Sequence, residues 1–187
     1  GKIIGGGFPV GAWGGRREIM DVLNPIRGRG TSAGSAGMPA AAQVFHGGTF
    51  NGNPVTAAAG RVGLECFNAA AVGGLNALGE RLAKGIGKTF RDLGIAGQVT
   101  GLGSLRNLHF TPEPVVDFRT AQASAKDLMH LVHLGLLRRG IFLPARGLFA
   151  LSTPMTERKI DAAVAALDDV LRELRPTIRA LWPFLAV

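Results

Sequence analysis

Apolar residues recur every three or four positions in the second half of the chain, which predicts amphipathic helices there. One such segment covers residues 75–93, and its apolar residues are Leu78, Leu82, Ile86 and Phe90. Another begins at Thr156, and its apolar residues are Ile160, Val164, Leu167, Leu171 and Leu174. Pro176 is expected to end this last helix, because proline lacks the N–H that a helix interior requires.

Glycine, proline and capping residues predict further helix boundaries. The Asn53-Pro54 pair is expected to open a helix that continues to about residue 68. A shorter helix is predicted over residues 16–23. Another is expected to begin at Thr120 and to end near Arg139, directly before a glycine that suits the left-handed position after a helix.

Four short segments are predicted as strands: residues 8–14, 97–101, 105–110 and 141–143. We expect a helix break at Gly73-Gly74, which places a boundary between two parts of the chain. Residues 1–74 are interpreted as the end of a larger α/β domain, and residues 75–187 as a small α+β domain. Residues 26–45 show no periodicity and are expected to form a long loop.

The composition is that of a folded protein. Of the 187 residues, 47% are hydrophobic and 18% are charged, so the chain can bury a core. The single cysteine, Cys66, excludes an internal disulfide and suits a reducing compartment. No apolar run is long enough to span a membrane. We therefore expect a cytoplasmic protein without a membrane partner.

A net charge of +8 raises the alternative of nucleic-acid binding. The arginines, however, are spread along the chain in no run of five like charges, and the aromatic residues are not interleaved with them. Solvated helix faces explain this distribution better. We therefore expect no nucleic-acid partner.

The most reactive candidate is Lys2, in the sequence GKIIGGG (residues 1–7). Glycines let backbone approach a ligand closely, because they lack Cβ. A lysine in such surroundings can lose part of its hydration, which favours the neutral amine that attacks carbonyl groups.

The segment GKIIGGGFPVGAWGGRREIM (residues 1–20) resembles the cofactor-lysine segment of class III aminotransferases, which are fold-type-I enzymes that use pyridoxal 5′-phosphate (PLP). A second block, HGGTFNGNP (residues 46–54), is similar to the downstream motif of the same family. The order and approximate spacing of the two blocks also match. Glutamate-semialdehyde aminomutases and β-amino-acid aminotransferases are the relatives that the chain resembles most.

This resemblance implies roles for two residues. Lys2 would form the Schiff base with PLP and carry protons during a ping-pong reaction that moves an amino group from an amino acid to an α-keto acid. Thr49 would contact the phosphate of the PLP that the other subunit holds, which implies a homodimer with shared active sites. A helix-capping role for Thr49 is the alternative.

Arg146 is the candidate substrate-binding residue. It follows the predicted strand 141–143, in a loop where relatives place substrate-contacting residues, and a guanidinium binds a carboxylate through two parallel hydrogen bonds. Aminomutases carry a glutamate at about this place, and none occurs between Ile141 and Thr156. The sequence therefore favours an aminotransferase, with the aminomutase and a non-catalytic binding or assembly fragment as alternatives.

The main candidate, Lys2, is the second residue of a chain that has no initiator methionine. Chain ends fray unless they are held. We therefore expect this chain to be the C-terminal portion of a longer enzyme, whose remaining N-terminal portion would be its partner. In the family, the phosphate loop, the aromatic residue that stacks on the cofactor and the aspartate that pairs with the ring nitrogen all precede the lysine.

Two other motifs carry less weight. Residues 85–89 (GIGKT) resemble the end of a phosphate-binding loop, but Leu82 stands where that motif requires glycine. His130 and His133 lie three residues apart on a predicted helix with no third metal ligand in the pattern. We therefore expect no metal site.

Overall fold

The computed structural model describes residues 2–23, 44 and 46–187. These residues form two compact units, Gly1–Asn68 and Ala69–Val187. The predicted loop 26–45 lies outside the described residues, apart from Val44. The interpretation of residues 1–74 as the end of a large domain and of residues 75–187 as a small domain stays a prediction.

The described residues of the first unit form two α-helices and two short 3₁₀ segments. The 3₁₀ segments are Lys2–Gly5 and Asp21–Leu23, and the helices are α1 (Arg17–Met20) and α2 (Pro54–Cys66). Asn53 caps α2, since its side-chain oxygen accepts a hydrogen bond from the Thr56 amide at 3.1 Å. The predicted helix opening at Asn53-Pro54 is therefore confirmed, whereas the helix predicted over residues 16–23 is α-helical only over Arg17–Met20. The predicted strand over residues 8–14 is wrong, because that segment pairs with no other strand among the described residues of this unit.

The 3₁₀ turn Lys2–Gly5 packs directly on α2 because both contribute glycines. A Cβ on the buried Gly60 of α2 would lie 2.2 Å from the Ile4 carbonyl oxygen, and one on Gly63 would lie 3.1 Å from the Ile3 oxygen. From the other side, a Cβ on Gly6 would meet the Ala59 oxygen at 2.3 Å. Only glycine permits these backbones to approach so closely.

The second unit consists of four helices and a three-stranded sheet. Its elements are α3 (Ala69–Leu93), β1 (Gln98–Leu102), β2 (Leu105–His109), α4 (Phe118–Gln122), α5 (Lys126–Arg138), β3 (Leu148–Ala150), α6 (Glu157–Leu181) and a final 3₁₀ turn (Pro183–Leu185). The sheet is antiparallel in the order β1-β2-β3, with Val99 opposite Leu108 and Arg106 opposite Phe149.

The core of this unit lies between the long helices α3 and α6, α5 and one face of the sheet. The residues predicted from helical spacing line it, and Leu82, Ile86, Leu167 and Leu171 are fully buried. Arg106 ties the β1–β2 hairpin to α3 by donating to the Gly101 and Gly103 carbonyls and pairing with Glu80. A Cβ on Gly79 of α3 would lie 1.9 Å from the Gly103 oxygen, so the hairpin rests directly on the helix.

Three predictions are wrong in this unit: a helix break, a helix end and a strand. Gly73 and Gly74 do not break a helix, because α3 begins at Ala69 and passes through both. Pro176 lies inside α6, which continues to Leu181 because Ile178 in that last part is buried in the core. Residues 141–143 are not a strand, and the partner of β2 is Leu148–Ala150.

The predicted helix from Thr120 to Arg139 is two helices. Asp117 caps α4, accepting from the Thr120 amide at 2.8 Å, while the Thr120 hydroxyl accepts from the Asp117 amide at 3.0 Å. Thr120 is therefore the third residue of α4 and not its cap. The expected glycine after α5 is confirmed, since Gly140 has φ of +76°.

We predict that Gly60→Ala displaces the Lys2–Gly5 turn, because its new methyl group would lie 2.2 Å from the Ile4 carbonyl oxygen, and one of the two backbones must shift to relieve that contact. Overpacking of this kind costs about 1–3 kcal/mol, which exceeds the roughly 1 kcal/mol that alanine gains over glycine in a helix. Amide hydrogen exchange of Gly6 and Phe8, which bond within this turn, should accelerate. Gly73→Ala is the matched control, since a Cβ there meets nothing within 4 Å. Unchanged exchange in Gly60→Ala would contradict the packing argument.

Candidate active site

Lys2 occupies a backbone conformation that is unusual for its residue type. Its φ is +63°, and it is the only non-glycine residue with positive φ in the described part of the chain. The left-handed region is costly for a residue with a long side chain, so it persists only where surrounding contacts hold it. Here the contacts are those of the Lys2–Gly5 turn with the glycines of α2. The turn presents the Lys2 side chain to solvent.

The structure brings together the two sequence blocks that contain Lys2 and Thr49. The Trp13 ring contacts the His46 ring edge to face, with centroids 5.1 Å apart and planes at 85°. Between the blocks lies an open groove of about 500 Å³, lined by Pro9, Val10 and Gly11 from the first and by His46, Phe50, Asn51 and Gly52 from the second. The two blocks that resemble family motifs are therefore also neighbours in the folded first unit.

Thr49 lies in a tight turn that precedes α2. The Asn51 amide donates to the Gly48 oxygen at 3.0 Å, and Gly52 follows with φ of +65°. The Thr49 side chain is exposed. It does not cap α2, because Asn53 does so. The alternative of a capping threonine is therefore wrong for this helix.

Arg146 belongs to the second unit, in a turn between residue 140 and β3. The Gly147 amide closes the turn by donating to the Pro144 oxygen at 2.8 Å. The exposed Arg146 lines a cavity of about 500 Å³ whose other walls are mainly apolar, formed by Phe142, Leu143, Leu148, Met155 and Ile160 among others. Lys159 is the second cationic side chain at this cavity.

Arg146 differs from the arginines that hold the second unit together. Arg81 pairs with Asp161 and Glu157, and Arg172 pairs with Asp168. The Arg81 guanidinium lowers the pKa of the Asp161 carboxyl, chiefly through a direct hydrogen bond. In the part of the chain that the structure describes, no carboxylate pairs with Arg146. Its guanidinium is thus available to an anionic ligand.

The chemistry of these side chains suits a PLP site. Lys2 offers an accessible amine for the aldehyde group, and Thr49 offers a hydroxyl donor for phosphate oxygens. Positive φ at Lys2, Gly6 and Gly7 bends the backbone sharply beside that amine. The chain therefore fits the part of such a site that its sequence blocks imply.

Other clusters in the structure are explained by packing. Residues 85–89, which resemble a phosphate-binding loop, lie within α3, and Lys88 pairs there with Asp92. Across the described ranges, no group of three or more histidines, cysteines or acidic residues could hold a metal. His109 is buried on the sheet, where desolvation lowers its pKa, and Thr100 Oγ1 lies 2.9 Å from its Nε2. None of the helices that the structure describes has the length and hydropathy of a membrane span.

The sequence analysis did not predict that His133 contacts the loop that carries Arg146. His133 Nδ1 lies 2.5 Å from the Leu143 oxygen, just ahead of the Arg146 turn. The spacing of His130 and His133 drew attention only to metal binding. No local pattern could show this contact, because it joins residues ten positions apart through the fold.

Comparison with curated proteins gives two informative relatives. The chain is 36% identical over 177 residues to the glutamate-1-semialdehyde 2,1-aminomutase of Methanothermobacter thermautotrophicus, covering 94% of this chain and 39% of that protein. It is 38% identical over 168 residues to the beta-phenylalanine transaminase of Variovorax paradoxus, covering 89% of this chain and 36% of that protein. The chain thus spans less than two fifths of the length of either relative.

Two solved structures show the same fold. An omega-transaminase from Sphaerobacter thermophilus superposes with a TM-score of 0.80 at 38% identity, over 92% of this chain and 37% of that one. A transaminase with PLP bound superposes with a TM-score of 0.75 at 31% identity, over 96% of this chain and 38% of that one. The predicted fold class, the C-terminal part of a fold-type-I PLP transferase, is confirmed by these neighbours.

The family model described as "Aminotransferase class-III" matches residues 1–168, nearly the whole chain. The family predicted from the two sequence blocks is therefore confirmed, and with it PLP as the cofactor of the family. The chain belongs to the class-III aminotransferases.

Proposed function

We propose that this chain is part of a PLP-dependent aminotransferase that moves an amino group from an amino acid, including a β-amino acid, to an α-keto acid. The observation that carries the proposal is the exposed Lys2 amine, held at positive φ in a turn that rests on the glycines of α2. The relatives include both transaminases and aminomutases, and the free Arg146 in a loop without a glutamate favours the transaminase.

Lys2 is proposed to hold the cofactor covalently through Nζ and to act as the acid and base of the reaction. When bound, PLP supplies an electron sink that stabilises negative charge on the carbon bearing the substrate amine. Once released from the cofactor, the neutral Lys2 amine would take the proton from that carbon and return it later in the reaction. The reaction is expected to be ping-pong, with donor and acceptor using the same site in turn.

The proposed partners are the remainder of the same enzyme and a second identical subunit. The first unit supports this, because it leaves many large apolar side chains exposed: Ile3, Phe8, Val10, Trp13, Ile19, Phe50, Val55, Val62 and Leu64. Large apolar side chains exposed in such number favour a role in contacts with another protein surface. A cytoplasmic location stays a prediction from the single cysteine.

We predict that borohydride reduction of the complete enzyme fixes PLP on Lys2, because reduction makes a lysine–cofactor bond permanent. Peptide mapping by mass spectrometry should find the label at this position. Lys2→Ala should abolish it, while Lys84→Ala, which changes an exposed lysine of α3, should not. A label on any other lysine would overturn the central assignment.

Thr49 is proposed to donate its hydroxyl to the phosphate of the PLP held by the other subunit. Its exposed position in a turn, with capping of α2 left to Asn53, supports a role toward a ligand. Mixing Lys2→Ala protomers with Thr49→Ala protomers should then restore activity above either parent, because one site of each heterodimer would carry both defects and the other none. If activity is not restored, Thr49 acts within its own subunit or not at all.

We predict that Arg146→Ala lowers kcat/KM for α-keto acids by roughly 30- to 1000-fold, the loss of about 2–4 kcal/mol of charged hydrogen bonding. Acetaldehyde, which is pyruvate without its carboxylate, should be affected far less as an amine acceptor. Retention of PLP should not change. Equal losses for pyruvate and acetaldehyde would mean that Arg146 has only a structural role.

The acceptor requirement also distinguishes the alternatives. An aminotransferase turns over only when a separate keto acid or aldehyde is supplied, whereas an aminomutase moves the amine within one substrate. Conversion of glutamate semialdehyde without an added acceptor would favour the aminomutase. A complete enzyme that binds no PLP would leave only the non-catalytic alternative.

A further inference from the structure

The turn that bears Arg146 is fixed to the second unit at both ends. After the turn, the Leu108 amide of β2 donates to the Gly147 oxygen at 3.0 Å. Gly147 itself is buried with φ of +79°, and a Cβ there would lie 2.9 Å from Met129 Sδ. Before the turn, the Leu143 side chain is only 1% exposed. The backbone of Arg146 is therefore held between two anchors.

His133 supplies the polar part of the first anchor. Its Nδ1 lies 2.5 Å from the Leu143 carbonyl oxygen. Because a carbonyl oxygen only accepts hydrogen bonds, Nδ1 must carry the proton and donate it. The Phe142 ring packs edge to face on the His133 ring, with centroids 6.3 Å apart and planes at 80°.

His133 is itself firmly placed. It lies in α5, which contributes the fully buried Leu128, Val132 and Leu136 to the core. The segment that leads from α5 toward the turn is also bonded to that helix, because the Ile141 amide donates to the Leu136 oxygen at 3.0 Å. A side chain on a rigid helix thus fixes the position of a loop that carries a candidate ligand-binding group.

We propose that His133 is a positioning residue for Arg146: by holding the Leu143 carbonyl, it sets the place from which the guanidinium reaches a substrate carboxylate. This inference rests on the proposed role of Arg146. A donor that points at a fixed carbonyl sets the start of the turn, and the Pro144–Gly147 bond carries that placement to Arg146. Small displacements of such a group weaken a two-point hydrogen bond, which demands alignment as well as proximity.

The test is steady-state kinetics of the complete enzyme with pyruvate and with acetaldehyde as amine acceptors. His133→Leu removes the donor, and we expect it to raise KM for pyruvate roughly tenfold, the size of one net hydrogen bond, with kcat and the constants for acetaldehyde nearly unchanged. His133→Asn should restore most of the pyruvate affinity, because its amide nitrogen can donate from nearly the same place. His130→Leu is the control on the same helix. It removes an exposed imidazole whose ring centroid lies 6.0 Å from that of His133, and it leaves the His133–Leu143 hydrogen bond in place.

A second measurement follows the anchor directly. In His133→Leu, amide hydrogen exchange at Gly147 should accelerate, because the turn bond to Pro144 loses its support, whereas His130→Leu should leave it unchanged. Where His133→Leu yields no folded enzyme, His133→Ser provides the same comparisons. Equal losses with pyruvate and acetaldehyde, failure of His133→Asn to restore affinity, or unchanged exchange at Gly147 would each overturn the inference.

Combining variants separates this inference from the proposed function. In an Arg146→Ala background, His133→Leu should have no further effect on pyruvate, since the group it positions is gone. If Arg146→Ala discriminates between the two acceptors but His133→Leu does not, only the role of His133 is wrong. If Arg146→Ala itself does not discriminate, the carboxylate role of Arg146 and the positioning role of His133 fail together.

Discussion

The close approach of the Lys2–Gly5 turn to α2 is the constraint on which the first unit depends. The Ile4 oxygen lies next to Gly60 and the Ile3 oxygen next to Gly63, each so close that a Cβ on the glycine would be crowded. The turn and the helix therefore touch without intervening side chains. This contact holds Lys2 at positive φ, which a lysine would not otherwise keep. The position of the Lys2 backbone thus depends on Gly60 and Gly63, which have no reactive side chain.

In the second unit, hydrogen bonds and close packing of the sheet on the helices hold the turn that bears Arg146. Its sheet is small, and it is tied to the long helices by the buried Arg106 and by the direct seating of the β1–β2 hairpin on Gly79. The fixed hairpin then supports β3 and, through the Leu108–Gly147 hydrogen bond, the turn that bears Arg146. In each unit a candidate functional side chain extends from a turn whose backbone is immobilised by its neighbours.

The sequence predicted those elements whose signal is local. Helical spacing located α3 and α6, Asn53-Pro54 located the start of α2, and glycine located the end of α5. It failed where tertiary contacts outweigh local preference. Pro176 costs a helix about 3 kcal/mol, yet burial of Ile178 beyond it keeps α6 continuous. Lys2 and Thr49 were found from motifs, whereas the positive φ of Lys2 and the His133–Leu143 contact depend on partners distant in sequence and leave no local signal.

A fixed Arg146 backbone also constrains how one site could serve two substrates. A β-amino-acid donor would carry its carboxylate one carbon farther from the reacting carbon than an α-keto-acid acceptor does, so one guanidinium could not hold both in the same pose. Because both ends of the turn are bonded, the adjustment falls to the flexible arginine side chain and not to movement of the loop. The cavity beside Arg146 fits this interpretation, because none of its described lining residues carries a carboxylate. A guanidinium that changes its orientation there would meet no protein carboxylate that competes with a substrate. Rigid backbone and mobile side chain together would let the proposed site alternate between substrates without giving up its geometry.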